Sequence, residues 1–188
     1  MMRHVLPLIA LPILLLGCGN STPVTSPSPP PSGSPIPGTS ATSEWPHVPY
    51  SEVRAYAWKP NDKLQEEEFM VNRTDLSVAP GAVNPKGTVL SPEQVAQLIK
   101  AVTRSDIKYE QYKCYDPHNA FVFYNADKQP VAFVEICFDC LGQVQEPARE
   151  PRQIDLPALA TIFYDLKLPI GAAQDAESFR RGFEKNKL

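Results

Sequence analysis

The spacing of hydrophobic positions predicts two helices in the second half of the chain. After Ser91 the apolar residues recur every three or four positions, which predicts a helix with one face toward a core. The start of that helix is marked by Ser91-Pro92-Glu93-Gln94, with a serine cap, a proline at the first helical position and a glutamine placed to close a capping box. A second helix is predicted from near Asp155 to a stop at 169–171. The predicted core-facing residues are Val95, Leu98, Ile99 and Val102 in the first helix, and Leu156, Leu159, Ala160, Phe163 and Leu166 in the second.

Between these helices the pattern changes to that of strands. Residues 120–124 and 131–137 are rich in β-branched and aromatic residues, and the polar segment 125–129 between them predicts a hairpin turn. Both strands are apolar on both faces, so the hairpin is expected at the centre of the sheet. A further strand is predicted over 53–58. Because strands and helices do not alternate strictly, the sequence predicts an α+β fold, with a small antiparallel sheet whose central hairpin is packed by two main helices.

The first 43 residues follow neither pattern. Arg3 precedes an apolar run over 5–16 that is too short to span a membrane, which predicts a signal peptide over residues 1–17. Residues 20–43 are almost entirely Ser, Thr, Pro and Gly and carry no charge, so they are expected to form a disordered tether. The predicted organisation is therefore a signal peptide, a tether over 18–43 and a single globular domain over 44–188.

A short motif stands directly after the apolar run. Leu15-Leu16-Gly17-Cys18 has an aliphatic residue, a tolerant position, a small residue and a cysteine, and here the chain resembles bacterial lipoproteins at their lipobox. The resemblance implies that Cys18 becomes the mature N-terminus and carries a diacylglycerol on its thiol and a fatty acid such as palmitate on its amine. Two or three acyl chains make such an anchor effectively permanent. The alternative is an ordinary signal peptide in which Cys18 is incidental.

The resemblance also gives an expected location and a first partner, the membrane. Gly19, rather than an aspartate, follows Cys18, which resembles lipoproteins exported to the outer membrane. We therefore expect a lipid-anchored protein of the bacterial cell envelope, in the outer membrane.

Charge and motif content narrow the function classes. The chain carries 18 Lys and Arg against 21 Asp and Glu, so its charge gives no reason to expect nucleic acid as a partner. A phosphate-binding glycine loop, a nucleophile elbow and a zinc-protease helix are all missing from the sequence, which disfavours an enzyme.

Three cysteines remain once Cys18 is assigned to lipid. If Tyr124 pairs with Val131, the hairpin ladder sets His118 opposite Cys137 and places Cys114 one step from Cys140. The pattern Cys-x3-His followed by Cys-x2-Cys is therefore predicted to converge at the open end of one hairpin. The four predicted site residues are Cys114, His118, Cys137 and Cys140.

Three kinds of chemistry are open to this cluster. Thiolates and imidazole suit a tetrahedral zinc ion, and copper(I) accepts the same thiolates. In an oxidising compartment two of the thiols are instead expected to form a disulfide, across the strands from Cys114 to Cys140 or locally from Cys137 to Cys140. A redox-active dithiol is the third alternative, disfavoured because Cys137 ends a strand rather than starting a helix, and because Asp139 opposes thiolate formation.

The segment around these residues resembles a group of uncharacterised bacterial envelope proteins. The shared pattern is Cys-x2-Pro-His at 114–118, Phe-Tyr at 123–124 and Ile-Cys-Phe-x-Cys at 136–140, a span of about 27 residues. The resemblance implies that these residues act as a unit, and it implies no reaction.

The expected function is that of a non-catalytic, lipid-anchored envelope protein, with two alternatives. One is a periplasm-facing thiol redox protein. The other is a module that binds peptidoglycan or another envelope protein, because exposed aromatic rings can stack on sugars. The candidate rings are Trp45, Tyr50, Tyr56 and Trp58, for which core packing is the competing interpretation.

Overall fold

The fold is a five-stranded antiparallel sheet with three helices, which confirms the predicted α+β class. The structure is a computed structural model that describes residues 45–59, 69–104, 106–148, 153–173 and 175–188. The predicted signal peptide, Cys18 and the tether lie outside the described residues. The strands are β1 (Glu52–Ala57), β2 (Thr88–Val89), β3 (Asn119–Tyr124), β4 (Pro130–Cys137) and β5 (Gly142–Glu146), and the helices are α1 (Pro92–Thr103), α2 (Leu156–Asp165) and α3 (Ala176–Glu184).

The predicted hairpin is formed by β3 and β4, and it is central because the strand order is β2-β1-β3-β4-β5. Its predicted register is confirmed over most of the ladder, where Asn119 pairs with Ile136 and Phe123 with Ala132. The register shifts at the last step, where Tyr124 pairs with Pro130 instead of Val131. Proline at the start of β4 cannot donate to the ladder, and an irregularity at that point is the usual result.

The two faces of the sheet are covered by different parts of the chain. On one face, side chains such as Val53, Phe121 and Val134 form the larger core with the three helices. On the opposite face, Val122 and Phe133 belong to a smaller core that is closed by residues of the 69–82 segment. Burial on both sides explains why the central strands are apolar throughout.

Helix α1 begins as predicted. Ser91 accepts a hydrogen bond from the backbone N–H of Gln94, and the Gln94 side chain accepts one from the backbone N–H of Ser91, so the capping box is complete. Two orphan donors of the first turn are satisfied in this way.

Helix α2 ends earlier than predicted, at Asp165 instead of near Pro169. Lys167 adopts a left-handed conformation with φ of 61°, and its N–H donates to the carbonyl oxygen of Tyr164 while the N–H of Leu168 donates to that of Phe163. This pair of bonds is a Schellman motif, which usually has glycine at the left-handed position. Because a lysine occupies it here, the sequence signal for the helix end is missing.

Candidate functional site

The cysteine turn joins β4 to β5 at residues 138–141. The sulfur atoms of Cys137 and Cys140 are bonded, and the two residues are 2% and 1% exposed. The N–H of Cys140 also lies 3.2 Å from the Cys137 sulfur, and Leu141 takes a left-handed conformation to complete the turn. Of the two predicted disulfides the structure therefore contains the local one.

Cys114 lies beside this turn but takes no part in the bond. The backbone N–H of Tyr112 donates to the carbonyl oxygen of Cys140 at 3.1 Å, so segment 112–115 runs along the turn, close to where the hairpin register places it. The Cys114 thiol itself is free and exposed. The predicted proximity of the segments is present, whereas the cross-strand Cys114 to Cys140 bond is not.

His118 is buried and bonded locally. Its Nδ1 lies 3.0 Å from the carbonyl oxygen of Asp116, and its backbone N–H donates to the carbonyl oxygen of Ile136 at the end of the hairpin. The side chain is 6% exposed. These contacts correspond to a structural histidine.

The four predicted ligands are therefore not assembled around one point. The Cys137 and Cys140 sulfurs are bonded to each other. A disulfide sulfur is not the thiolate that zinc or copper(I) binds. In the part of the chain that the structure describes, no group of three or more His, Cys, Asp and Glu side chains is arranged to hold a metal ion. The arrangement corresponds to the disulfide alternative.

The cysteine turn presents Asp139 to the connection between α2 and α3. Both carboxylate oxygens of Asp139 lie 3.0 Å from the backbone nitrogen of Ala172. The neighbouring Gly171 has φ of +61°, and a Cβ there would stand 2.6 Å from the Asp139 Oδ2. The Asn119 side chain holds the same connection by donating to the carbonyl oxygen of Pro169 at 2.7 Å. The disulfide thus closes a turn whose carboxylate fixes a loop on the helical side of the molecule.

A buried acid on β4 organises the opposite face of the sheet. The Glu135 side chain has no exposed surface and accepts hydrogen bonds from the backbone N–H groups of Met70 at 2.5 Å and Val71 at 3.3 Å. Its other oxygen pairs with Arg73 at 3.1 Å, and the Tyr115 hydroxyl lies 3.3 Å from the same oxygen. Burial raises the pKa of the Glu135 carboxyl above its ordinary value, and the Arg73 charge and the two backbone donors offset part of that rise.

Sequence reasoning missed this network, although one signal for it was present. A glutamate in the middle of an otherwise apolar strand requires partners, because acidic residues are almost never fully buried alone. Three of the partners, Met70, Val71 and Arg73, come from a segment 62 to 65 residues earlier that carries no strand or helix signal, so the sequence gives no means of naming them.

A groove lies next to this network on the same face. It has a volume of about 430 Å³, and we call it the Arg73 groove. Its wall combines an aromatic ring, a guanidinium group, short polar side chains and small apolar ones. The lining residues are Phe69, Asn72, Arg73, Thr74, Ser77, Val78, Ala79 and Pro80.

The four aromatic residues considered for sugar stacking belong to the core. Trp45, Tyr56 and Trp58 are buried, and Tyr50 is half-buried against Phe123. They do not present an open stacking surface, and the core-packing interpretation holds for them.

Comparison of the chain with protein-family models, curated proteins and solved structures found no match. Among the described residues, no helix has both the length and the apolar character needed to cross a membrane.

Proposed function

We propose that the protein is a lipid-anchored component of the bacterial cell envelope, attached to the outer membrane through Cys18, with a non-catalytic domain stapled by the Cys137–Cys140 disulfide. The observation that carries the proposal is that disulfide, in a chain that begins with a signal-like segment and a lipobox-like motif. Disulfides persist in exported proteins and are rare in the cytosol, so the bond supports the export that the N-terminal motif implies.

The burial of the bond favours a structural role over the redox alternative. Thiol–disulfide exchange requires a thiolate to reach one of the two sulfurs, and both cysteines are almost completely covered. The exposed Cys114 thiol lies on the neighbouring segment and is the one cysteine of the domain open to reagents. A staple with one spare thiol accounts for the odd number of cysteines after Cys18.

The anchor is tested by expressing the full chain in a Gram-negative bacterium and measuring the intact mass of the protein extracted from membranes. We expect a chain that starts at Cys18 and carries acyl groups, and that fractionates with the outer membrane. The matched control is Cys18→Ser, which removes the acylated thiol and leaves the apolar run unchanged. A wild-type chain cleaved elsewhere, or unacylated and released by a salt wash, contradicts the proposal.

The staple is tested on the same preparation by thiol alkylation. We expect one alkylation, at Cys114, in the folded protein, and two more only after unfolding and reduction. Stoichiometric zinc or copper with three alkylatable thiols would instead support the metal alternative. Two thiols that equilibrate with glutathione in the folded protein would support the redox alternative.

A further inference from the structure

The Arg73 groove is framed by backbone that is hydrogen-bonded to itself and to the sheet. Residues 70–79 form a small hairpin in which Val71 pairs with Val78, and the N–H of Ala79 donates to the carbonyl oxygen of Met70 at 2.8 Å. Glu135 ties the base of this hairpin to the sheet through the two backbone N–H groups of Met70 and Val71. The volume of the groove, about 430 Å³, falls in the range of small-molecule sites, about 300–1,000 Å³.

Arg73 lies in the wall of the groove, held by two aromatic rings and Glu135, and keeps N–H donors that contact no acceptor among the described residues. Its guanidinium lies over the ring of Phe69 at 4.2 Å and over that of Phe133 at 5.5 Å, and one terminal nitrogen donates to Glu135. A guanidinium carries five N–H donors in a fixed plane. Among the described residues Nε is buried without a partner, and the terminal nitrogens keep N–H groups beyond the one that donates to Glu135. The Arg73 side chain is 30% exposed, which leaves part of it accessible from the groove.

Phe69 is exposed beside this charge, in contrast to the other phenylalanines. The chain has eight phenylalanines, and seven of them are buried in the two cores, whereas Phe69 is 46% exposed at the groove. Exposing a large apolar ring to water is unfavourable, and a ring beside a groove with polar walls is a usual feature of a binding site. Thr74 and Asn72 add short polar side chains to the same wall.

The charge balance defines the class of ligand. The Arg73 charge is already matched by the buried Glu135 carboxylate, so an anion in the groove would meet a pair with no net charge. A neutral ligand with many oxygen acceptors and a flat apolar face fits better, because the free N–H groups can donate to its oxygens while the ring covers its C–H groups. Sugar rings have both properties.

We propose that the Arg73 groove is a carbohydrate-binding site that takes a neutral sugar residue of a polysaccharide, with Phe69 stacked on the sugar ring and Arg73 donating to its hydroxyl oxygens. This ligand class goes beyond the anchored, non-catalytic domain proposed above and does not depend on the acylation of Cys18.

The test is a saturation-transfer NMR titration of the full chain in a detergent that contains no sugar. The probes are chitotriose and maltotriose, which are neutral, and trigalacturonate, which carries carboxylates. We expect saturable transfer to the C–H protons of at least one neutral probe. Binding of trigalacturonate alone would overturn the proposal in favour of an anion site, and so would the absence of binding by all three.

Three variants connect the binding to the groove. Phe69→Ala is expected to weaken binding about tenfold, the effect of losing one aromatic contact of about 1.4 kcal/mol. If Phe69→Ala also loosens the hairpin, its loss of binding would be ambiguous, so a second variant is needed. Thr74→Trp leaves Phe69 in place, fills the groove from an exposed position and should abolish binding. The matched control is Tyr164→Ala on α2, which removes a ring of 45% exposure that also lies under a cation, that of Lys167. Unchanged affinity in Phe69→Ala and Thr74→Trp, or an equal loss in Tyr164→Ala, would refute the assignment.

Discussion

Removal of the Glu135 carboxylate is expected to be among the most damaging single changes in the domain. In Glu135→Ala the backbone N–H groups of Met70 and Val71 lose their acceptor and Arg73 loses its counter-ion. An unsatisfied buried donor costs about 1–3 kcal/mol, and breaking a buried ion pair costs about 3–5 kcal/mol. These costs overlap, because the freed groups can rearrange toward water, so we expect a total loss of about 3–5 kcal/mol.

The assay is urea unfolding at pH 7, followed by tryptophan fluorescence. Trp58 belongs to the same small core as Met70 and Val71 and is 1% exposed, so its emission reports the opening of this face. A loss of this size is a large share of the roughly 5–15 kcal/mol that stabilises a typical domain. The unfolding midpoint should therefore fall sharply while the transition stays cooperative.

Glu52→Ala is the matched control. Glu52 also accepts from two cations, Arg54 and Lys128, but Lys128 is well exposed, and among the described residues no backbone N–H donates to this carboxylate. The exposed Glu52–Lys128 pair contributes about 0–1 kcal/mol. Because Arg54 is about as exposed as Arg73, the comparison isolates the contribution of the two buried backbone donors. If Glu135→Ala cost no more than Glu52→Ala, the buried network would not be what holds segment 69–82 on the sheet.

Three further predictions concern the Glu135 network and the cysteine turn. The free energy of unfolding of the wild type should fall relative to that of Glu135→Gln as pH rises above 4.5. The reason is that a carboxyl with a raised pKa in the folded state stabilises the protein fully below its unfolded pKa, and this stabilisation is lost as pH rises through the folded pKa. A wild type that gains stability relative to Glu135→Gln as pH rises would contradict the raised pKa of Glu135. Replacing Cys137 and Cys140 together by alanine should lower the free energy of unfolding in urea by about 2 kcal/mol, the loop-closure entropy of a four-residue ring. The reduced wild type should show the same urea midpoint as this double variant, and a clearly different midpoint would contradict the prediction. Gly171→Ala should destabilise through its left-handed backbone and its approach to Asp139, and the double variant with Asp139→Ala should recover part of the loss if that approach is the cause.

The parts of the fold that the sequence predicts are those specified by local patterns. The capping box at Ser91 and the helical stripe after it depend on residues within four positions of each other. The β3–β4 register follows from a polar five-residue turn between two apolar strands, because the length of the turn sets which residues pair. In each case the residues that specify the element lie within one short segment of the chain.

The parts that escape prediction depend on distant partners or on unusual residues. The two-residue strand β2 and the polar strand β5 are held by the neighbours they pair with, not by their own composition. Lys167 ends α2 at a position where glycine would have given a signal. Three of the donors to Glu135 come from the hairpin of residues 70–79, which is distant in sequence, so local patterns do not reveal the network.

The position of Asp139 distinguishes the alternatives for the cysteine cluster better than the sequence spacing does. Sequence spacing predicts which segments meet, but a metal site, a disulfide and a redox pair all require the same proximity. In the structure the bonded turn from Cys137 to Cys140 holds the Asp139 carboxylate against the Ala172 N–H, in the space that Gly171 leaves by having no side chain. We expect reduction to relax the turn and to weaken the contact between Asp139 and the loop that joins α2 to α3. The link between this bond and the position of the loop supports the structural role that we propose for the disulfide.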